Sequence, residues 1–91
     1  RNMRIILTAE FVSRYDNLPE KIQIKAEKQE KYFRENPFHQ SLHTEKLEPH
    51  RKEVWSIRVD RRYRIAFRFI DGDTALFLTV GPHDWIYKLK F

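Results

Sequence analysis

The sequence predicts an α+β domain: an N-terminal strand, a two-helix hairpin, a three-stranded antiparallel meander and a short C-terminal helix. Three observations lead there. Up to Asn36 the apolar residues recur at helical spacing, whereas from Val54 onward they alternate, as on a strand with one buried face. Asp60-Arg61-Arg62 and Asp71-Gly72-Asp73 cut the alternating part into three runs. With 91 residues, 41% of them hydrophobic, residues 1–91 suffice for one domain with a modest core.

Taken in order, Met3-Arg4-Ile5-Ile6-Leu7 is short and β-branched enough for a strand. Thr8 then offers a hydroxyl N-cap, and Phe11, Tyr15 and Leu18 fall on one helical stripe that ends at Asn17 and Pro19. Pro19 can open the next helix, over residues 20–35, whose inward stripe is Ile22, Ala26, Gln29 and Phe33. Asn36-Pro37 stops it, since proline disfavours the α conformation in the residue before it. An irregular stretch from Phe38 to about Lys52 follows.

The meander spans 54–59, 63–70 and 74–80. Centring the first turn on Arg61 pairs Trp55 with Phe67, Ile57 with Ile65 and Val59 with Tyr63, all apolar. Treating Asp71-Gly72 as a two-residue loop pairs Phe67 with Leu76, Ile65 with Leu78 and Tyr63 with Val80. The opposite face would then carry Ser56, Arg58, Arg64, Ala66, Arg68, Ala75, Phe77 and Thr79. Arg58 and Arg64 become direct partners, an unfavourable like-charge pair unless an anion, solvent or other protein groups compensate it. Trp55 belongs to the apolar face, and Phe77, on the arginine face, is the base-stacking candidate.

Charge narrows the function. The net charge of +5 resides entirely between Lys46 and Arg68, where Lys46, Arg51, Lys52, Arg58, Arg61, Arg62, Arg64 and Arg68 outnumber Glu48, Glu53 and Asp60. A basic cluster rich in arginine suits a polyanion, and its planar forks suit phosphate. The absence of cysteine excludes disulfides, thiolate nucleophiles and zinc fingers, and fits a cytoplasmic setting. No apolar run is long enough for a membrane, and Arg1-Asn2-Met3 begins no signal peptide. His39 and His43 stand four apart but lack a third ligand, so neither a metal nor another cofactor is expected. Gly72 and Gly81 alone cannot build a phosphate-cradling loop.

One constellation could carry chemistry. Val80-Gly81-Pro82 ends the third strand and delivers His83 beside the start of the middle strand, near Arg64 and Arg58. One helical turn from His83 would set Tyr87 on the same face, with Asp84 placed to cap the turn or orient the imidazole. Cleavage of RNA by its own 2′-hydroxyl needs a base, cations for the phosphorane and an acid for the leaving 5′-oxygen. Arg58, Arg64, His83 and Tyr87 could supply them; equally, His83 and Tyr87 could simply cap and pack a terminal helix.

The element order, with Trp55-Ser56-Ile57-Arg58-Val59, Tyr63-Arg64-Ile65-Ala66-Phe67 and Val80-Gly81-Pro82-His83 to Tyr87, resembles the RelE/ParE toxin superfamily over nearly the whole chain. The resemblance implies the RelE-like fold and the toxin of a toxin–antitoxin system. RelE-like members cleave mRNA in the ribosomal A site, and ParE-like members poison DNA gyrase. It assigns Arg58 and Arg64 to the scissile phosphate, His83 to proton transfer and Tyr87 to the family's C-terminal aromatic; by their charge Lys46, Arg51, Lys52, Arg61, Arg62 and Arg68 would bind RNA, with Phe77 as the stacking residue. RelE's two lysines on the strand before the first arginine are replaced here by Val54 and Ser56. A histidine-centred site of the YoeB or YafQ kind is the closer analogy, with Glu45, His43 or His50 contributing from the loop. The implied partners are mRNA, the ribosome and an antitoxin whose acidic helical segment covers apolar grooves and masks the basic face.

Overall fold

A computed structural model describes residues 2–47 and 53–91 and gives the expected α+β architecture. Strand β1 (Arg4–Leu7) leads into helix α1 (Ala9–Asp16) and helix α2 (Glu20–Glu35); a 3₁₀ turn (Gln40–Leu42), strands β2 (Glu45–Lys46), β3 (Trp55–Arg58), β4 (Tyr63–Asp71) and β5 (Thr74–Pro82), and the one-turn helix α3 (His83–Ile86) follow. The sheet order is β1-β5-β4-β3-β2, with β1 parallel to β5 and the remaining pairs antiparallel. The meander thus gains a strand at each edge: the N-terminal one beside β5, and a two-residue one from the stretch read as irregular.

The helices form where the sequence places them. Thr8 Oγ1 accepts from the Phe11 N–H at 2.9 Å and donates to the Leu78 carbonyl at 2.8 Å, so one hydroxyl caps α1 and fastens it to β5. Helix α2 buries Ala26, Gln29 and Phe33 and ends at an extended Asn36 before Pro37. Phe33 meets Phe67 and Phe77 edge to face, with centroids 5.0 and 5.2 Å away, at the centre of a core that includes Phe11, Ile57, Ile65 and Val80. Gln29, buried beside this core, donates through Nε2 to the carbonyls of Ser41 and Arg58 at 3.0 and 2.8 Å, tying α2 to the end of β3. A second, smaller cluster of Leu47, Val54, Ala66 and Ile86 lies on the other face of the sheet under the C-terminal segment.

The first hairpin has the predicted register: Trp55 opposes Phe67, Ile57 opposes Ile65, and Arg58 opposes Arg64. The second does not. Asp71 pairs with Thr74, so Gly72 and Asp73 form the loop, and the Asp73 N–H donates to Asp71 Oδ1 at 2.8 Å. Farther along, Ala66 opposes Thr79 while Phe67 opposes Phe77, leaving Leu78 as the extra residue of a β-bulge. Phe67 therefore faces Phe77, and Ile65 faces Val80, instead of Leu76 and Leu78. The bulge turns Ala75 and Phe77 into the main core, where Phe77 is 1% exposed, so the expectation that Phe77 stacks on bases is corrected.

Among the described residues, no helix is long and apolar enough to cross a membrane. Phe33→Ala is expected to cost about 3–5 kcal/mol in urea unfolding, because a fully buried ring at the junction of helix and sheet leaves a cavity. Ile24→Ala, on the exposed side of the same helix, should change stability by less than about 0.5 kcal/mol.

Candidate functional site

The turn between β3 and β4 organises the cationic site. Asp60 Oδ1 accepts from the backbone N–H groups of Arg62 and Tyr63 at 2.8 and 2.9 Å, and Asp60 Oδ2 lies 3.6 Å from Lys25 Nζ. Burial pushes the Asp60 carboxyl up, but those two amides and the Lys25 charge outweigh it and hold the group below the usual carboxylate range. The same turn presents carbonyls outward. Arg64 Nη1 donates to the Asp60 carbonyl at 2.7 Å and the Tyr63 carbonyl at 3.0 Å, and the His83 N–H donates to the Arg62 carbonyl at 2.6 Å. One loop thus positions an arginine and the start of α3.

Arg58 and Arg64 face each other across the ladder. Arg64 is 9% exposed, and burial together with the Arg58 charge lowers its pKa, against the opposing influence of Tyr87, Glu45 and Asp60. Arg58 Nε is buried and has no hydrogen-bond partner among the described residues. Carbonyls of the turn thus satisfy part of Arg64, while Arg58 keeps one buried Nε donor without a partner among the described residues.

Tyr87 lies close enough to Arg64 for each to influence the other's charge. Its hydroxyl donates to Glu45 Oε2 and lies 3.4 Å from Ser56 Oγ, and its ring stacks on His83 at 4.3 Å between centroids, with 24° between the planes. Glu45 reaches it because β2 pairs with β3, setting Glu45 opposite Ser56 on the arginine face. Burial raises the Tyr87 pKa above that of an ordinary phenol, and the Glu45 hydrogen bond raises it further. Tyr87 is consequently a proton donor at neutral pH, not a phenolate base. His83 Nδ1 lies 3.1 Å from Asp84 Oδ1, so Asp84 orients the imidazole while Pro82 occupies the N-cap position. Among the described residues no hydrogen bond or ion pair joins His83 to either arginine; the connection runs through the Tyr87 ring.

The other expected residues are dispersed. Lys46 sits on β2 and pairs with Glu53 at 3.2 Å. Arg61 and Arg62 are exposed in the turn and, with Lys25 and Asp60, line a cavity of about 540 Å³. Arg68 is half-buried on β4 opposite Leu76, four residues beyond Arg64. His43 closes the 3₁₀ turn in a left-handed conformation, φ 46°, and His39 stacks on Tyr32 at 4.1 Å. His50, Arg51 and Lys52 lie outside the described residues. Sequence reasoning missed Ser56 as a neighbour of Tyr87 and Asp60 as the organiser of the turn; the Asp60-Arg61-Arg62-Tyr63 string, an Asx-type turn, carried the second signal.

The domain thus sets two helices on one face of its sheet and the arginine pair, with the C-terminal segment, on the other. Residues 20–79 match the family model described as the ParE-like toxin domain, and the chain belongs to that family. The same fold occurs in a YoeB/ParE toxin from Agrobacterium tumefaciens, 18% identical, with a TM-score of 0.75 over 89% of this chain and 99% of that one. It also occurs in the RelB–RelE antitoxin–toxin complex from Methanococcus jannaschii, at 20% identity and a TM-score of 0.71 over 90% and 94% of the two chains. YafQ from E. coli aligns at 11% identity with a TM-score of 0.75 over 93% and 98%. No curated protein matches the sequence.

Two measurements check this geometry. A Cβ on Gly81 would lie 2.5 Å from the Trp85 ring, so Gly81→Ala should displace α3, cost about 1–3 kcal/mol and move the His83 and Tyr87 ring resonances. Because the Asp60 pKa is depressed on folding, its contribution is present above the unfolded value near ~4 and lost as pH falls through the lower folded value. The stability gap between wild type and Asp60→Asn in urea should therefore shrink from pH 7 to pH 3.

Proposed function

We propose that this protein is the toxin of a toxin–antitoxin pair and cleaves mRNA on the ribosome, in the cytoplasm, through attack by the RNA 2′-hydroxyl. The observation that carries the reading is the Arg58–Arg64 pair, with Tyr87 close to Arg64 and a buried Nε donor unused. In the reaction the 2′-oxygen bonds to phosphorus and the P–O5′ bond breaks. One proton must leave the 2′-hydroxyl and another must reach the 5′-oxygen. Arg58 and Arg64 neutralise the phosphorane, where preorganised charge acts most strongly. Glu45 and His83 flank Tyr87, one at its hydroxyl and the other at its ring face, and they are the two proton-transfer groups. Tyr87, kept as a phenol, positions the nucleotide between them. Arg61, Arg62 and Lys46 steer RNA to the site.

The antitoxin follows from the likeness to the RelB–RelE complex, whose toxin is seen with its antitoxin. The adjacent gene should encode a protein that binds this chain and reverses the growth arrest its expression causes.

A second reading, gyrase inhibition, is favoured by the ParE-like character of the family model. Translation reactions with primer extension on the mRNA, run beside a supercoiling assay, separate the two. His83→Ala and Arg58→Ala should each lower mRNA cleavage by about 10²–10³-fold, the range for a lost acid–base group or charge donor. Unchanged cleavage in both variants would overturn the catalytic assignment, and blocked supercoiling with intact mRNA would support the gyrase reading.

A further inference from the structure

Helix α3 is one turn long, too short to hold its own orientation. Its place is set from outside: the His83 N–H donates to the Arg62 carbonyl at 2.6 Å, and Ile86 is fully buried in the small cluster on the sheet. Two such contacts leave a rocking motion about the line between them. At 100° per residue, Trp85 leaves the turn about 160–200° away from Tyr87 and His83, so it is the side chain placed to block that motion. Two contacts fix its ring. A Cβ on Gly81 would fall 2.5 Å from Trp85 Cε3, so β5 passes directly against the indole only because position 81 has no side chain. From α1 the Arg14 guanidinium lies over the ring, 4.1 Å from its centroid, which is cation–π distance. Glu10 Oε2, one helical turn earlier, stands 3.4 Å from Arg14 Nε and orients the guanidinium.

We propose that Arg14 and Trp85 are positioning residues: the cation laid over the indole fixes the tilt of α3 and thereby sets where His83 and Tyr87 stand against the arginine face. The path is short. Trp85 lies two residues from each of them, and the rings of His83 and Tyr87 move together because they stack at 4.3 Å. Glu45 takes the Tyr87 hydroxyl from β2, which pairs with β3 and does not tilt with α3. A tilt of α3 would therefore displace the imidazole from Glu45, and misplacing a reacting group by ~1 Å can cost about 10²-fold in rate. The clasp acts on geometry more than on stability. The Arg14 and Glu10 side chains are 49% and 56% exposed, so their pairing contributes little to the folding free energy. The proposal rests on the nuclease reading for its effect on rate, but not for its effect on the position of the rings.

The test combines single-turnover cleavage of ribosome-bound mRNA with NMR of the aromatic rings, for wild type, Arg14→Gln, Arg14→Lys, Trp85→Leu and the double variant Arg14→Gln/Trp85→Leu. Arg14→Gln should lower the cleavage rate at saturating toxin by about 10–10²-fold, while the toxin concentration at half-saturation stays within about twofold. It should also shift the His83 and Tyr87 ring resonances, with the thermal midpoint unchanged to within ~2 °C. Arg14→Lys keeps a cation for the ring and should restore both rate and resonances. Because Arg14 acts through Trp85, adding Arg14→Gln to Trp85→Leu should cost little further rate. Wild-type rate and resonances in Arg14→Gln would overturn the proposal, as would a loss that Arg14→Lys does not restore or that adds in full to that of Trp85→Leu. Wild type that cuts no mRNA would remove the nuclease reading, and the resonances would then decide the clasp: shifted in Arg14→Gln and restored in Arg14→Lys, it stands; unshifted, it falls.

Discussion

Two positive charges held face to face are the constraint on which the remaining structure depends. Arg58 and Arg64 meet because β3 and β4 pair without a bulge, so Trp55, Ile57, Ile65 and Phe67 go to the helix side, and Ser56, Arg58, Arg64 and Ala66 to the other. Placing like charges opposite each other opposes folding. The protein offsets this with the carbonyls of Asp60 and Tyr63 around Arg64 and with the electrostatic influence of Glu45, Tyr87 and Asp60. It does not offset it fully, since one Arg58 donor stays buried and unused. A surface arginine pair could simply splay into water; here the edge strand β2 and the C-terminal segment cover the face and keep the pair together.

That arrangement divides the domain into two sides with different tasks. The helix side is aromatic and closely packed, with Phe33 seated between Phe67 and Phe77, and it supplies the rigidity. The other side has a small apolar patch around Ala66 and Ile86, and carbonyls of a single turn hold Arg64 and the start of α3 there. Asp60 links the sides: its carboxylate shapes the turn and meets Lys25 of α2, and its carbonyl holds Arg64. The stretch that matches the ParE-like toxin domain, residues 20–79, includes α2, Asp60 and both arginines and so draws on both sides.

Much of this was legible in the sequence, for identifiable physical reasons. Thr8, Pro19 and Asn36-Pro37 delimit the helices through local backbone chemistry, and local chemistry needs no tertiary context. The first hairpin could be registered because all its inward positions are apolar, so a slip by one residue would bury arginine. The second hairpin was misread at two points that alternation cannot register: Asp71 joins the ladder instead of the loop, and Leu78 is an extra residue whose bulge sends Phe77 inward. Both Phe77 and Leu78 are apolar, so either face accepts them and the pattern carries no sign of the bulge. Glu45 entered only as one of several possible bases, because the two-residue strand that aligns it with Ser56 is too short to have a periodicity. The His83–Tyr87 stack was accessible from the four-residue spacing, whereas the Tyr87–Glu45 bond, across 42 residues, was not.

On the proposed function, Arg58 and Arg64 are a like-charge pair that a phosphate completes. Thermal unfolding of wild type and Arg58→Met, with inorganic phosphate titrated against chloride at constant ionic strength, tests it most directly. Arg58→Met should be as stable as wild type or more so without phosphate, and phosphate should raise the midpoint of wild type more than that of the variant. Equal phosphate shifts in the two proteins, with Arg58→Met the less stable throughout, would contradict it.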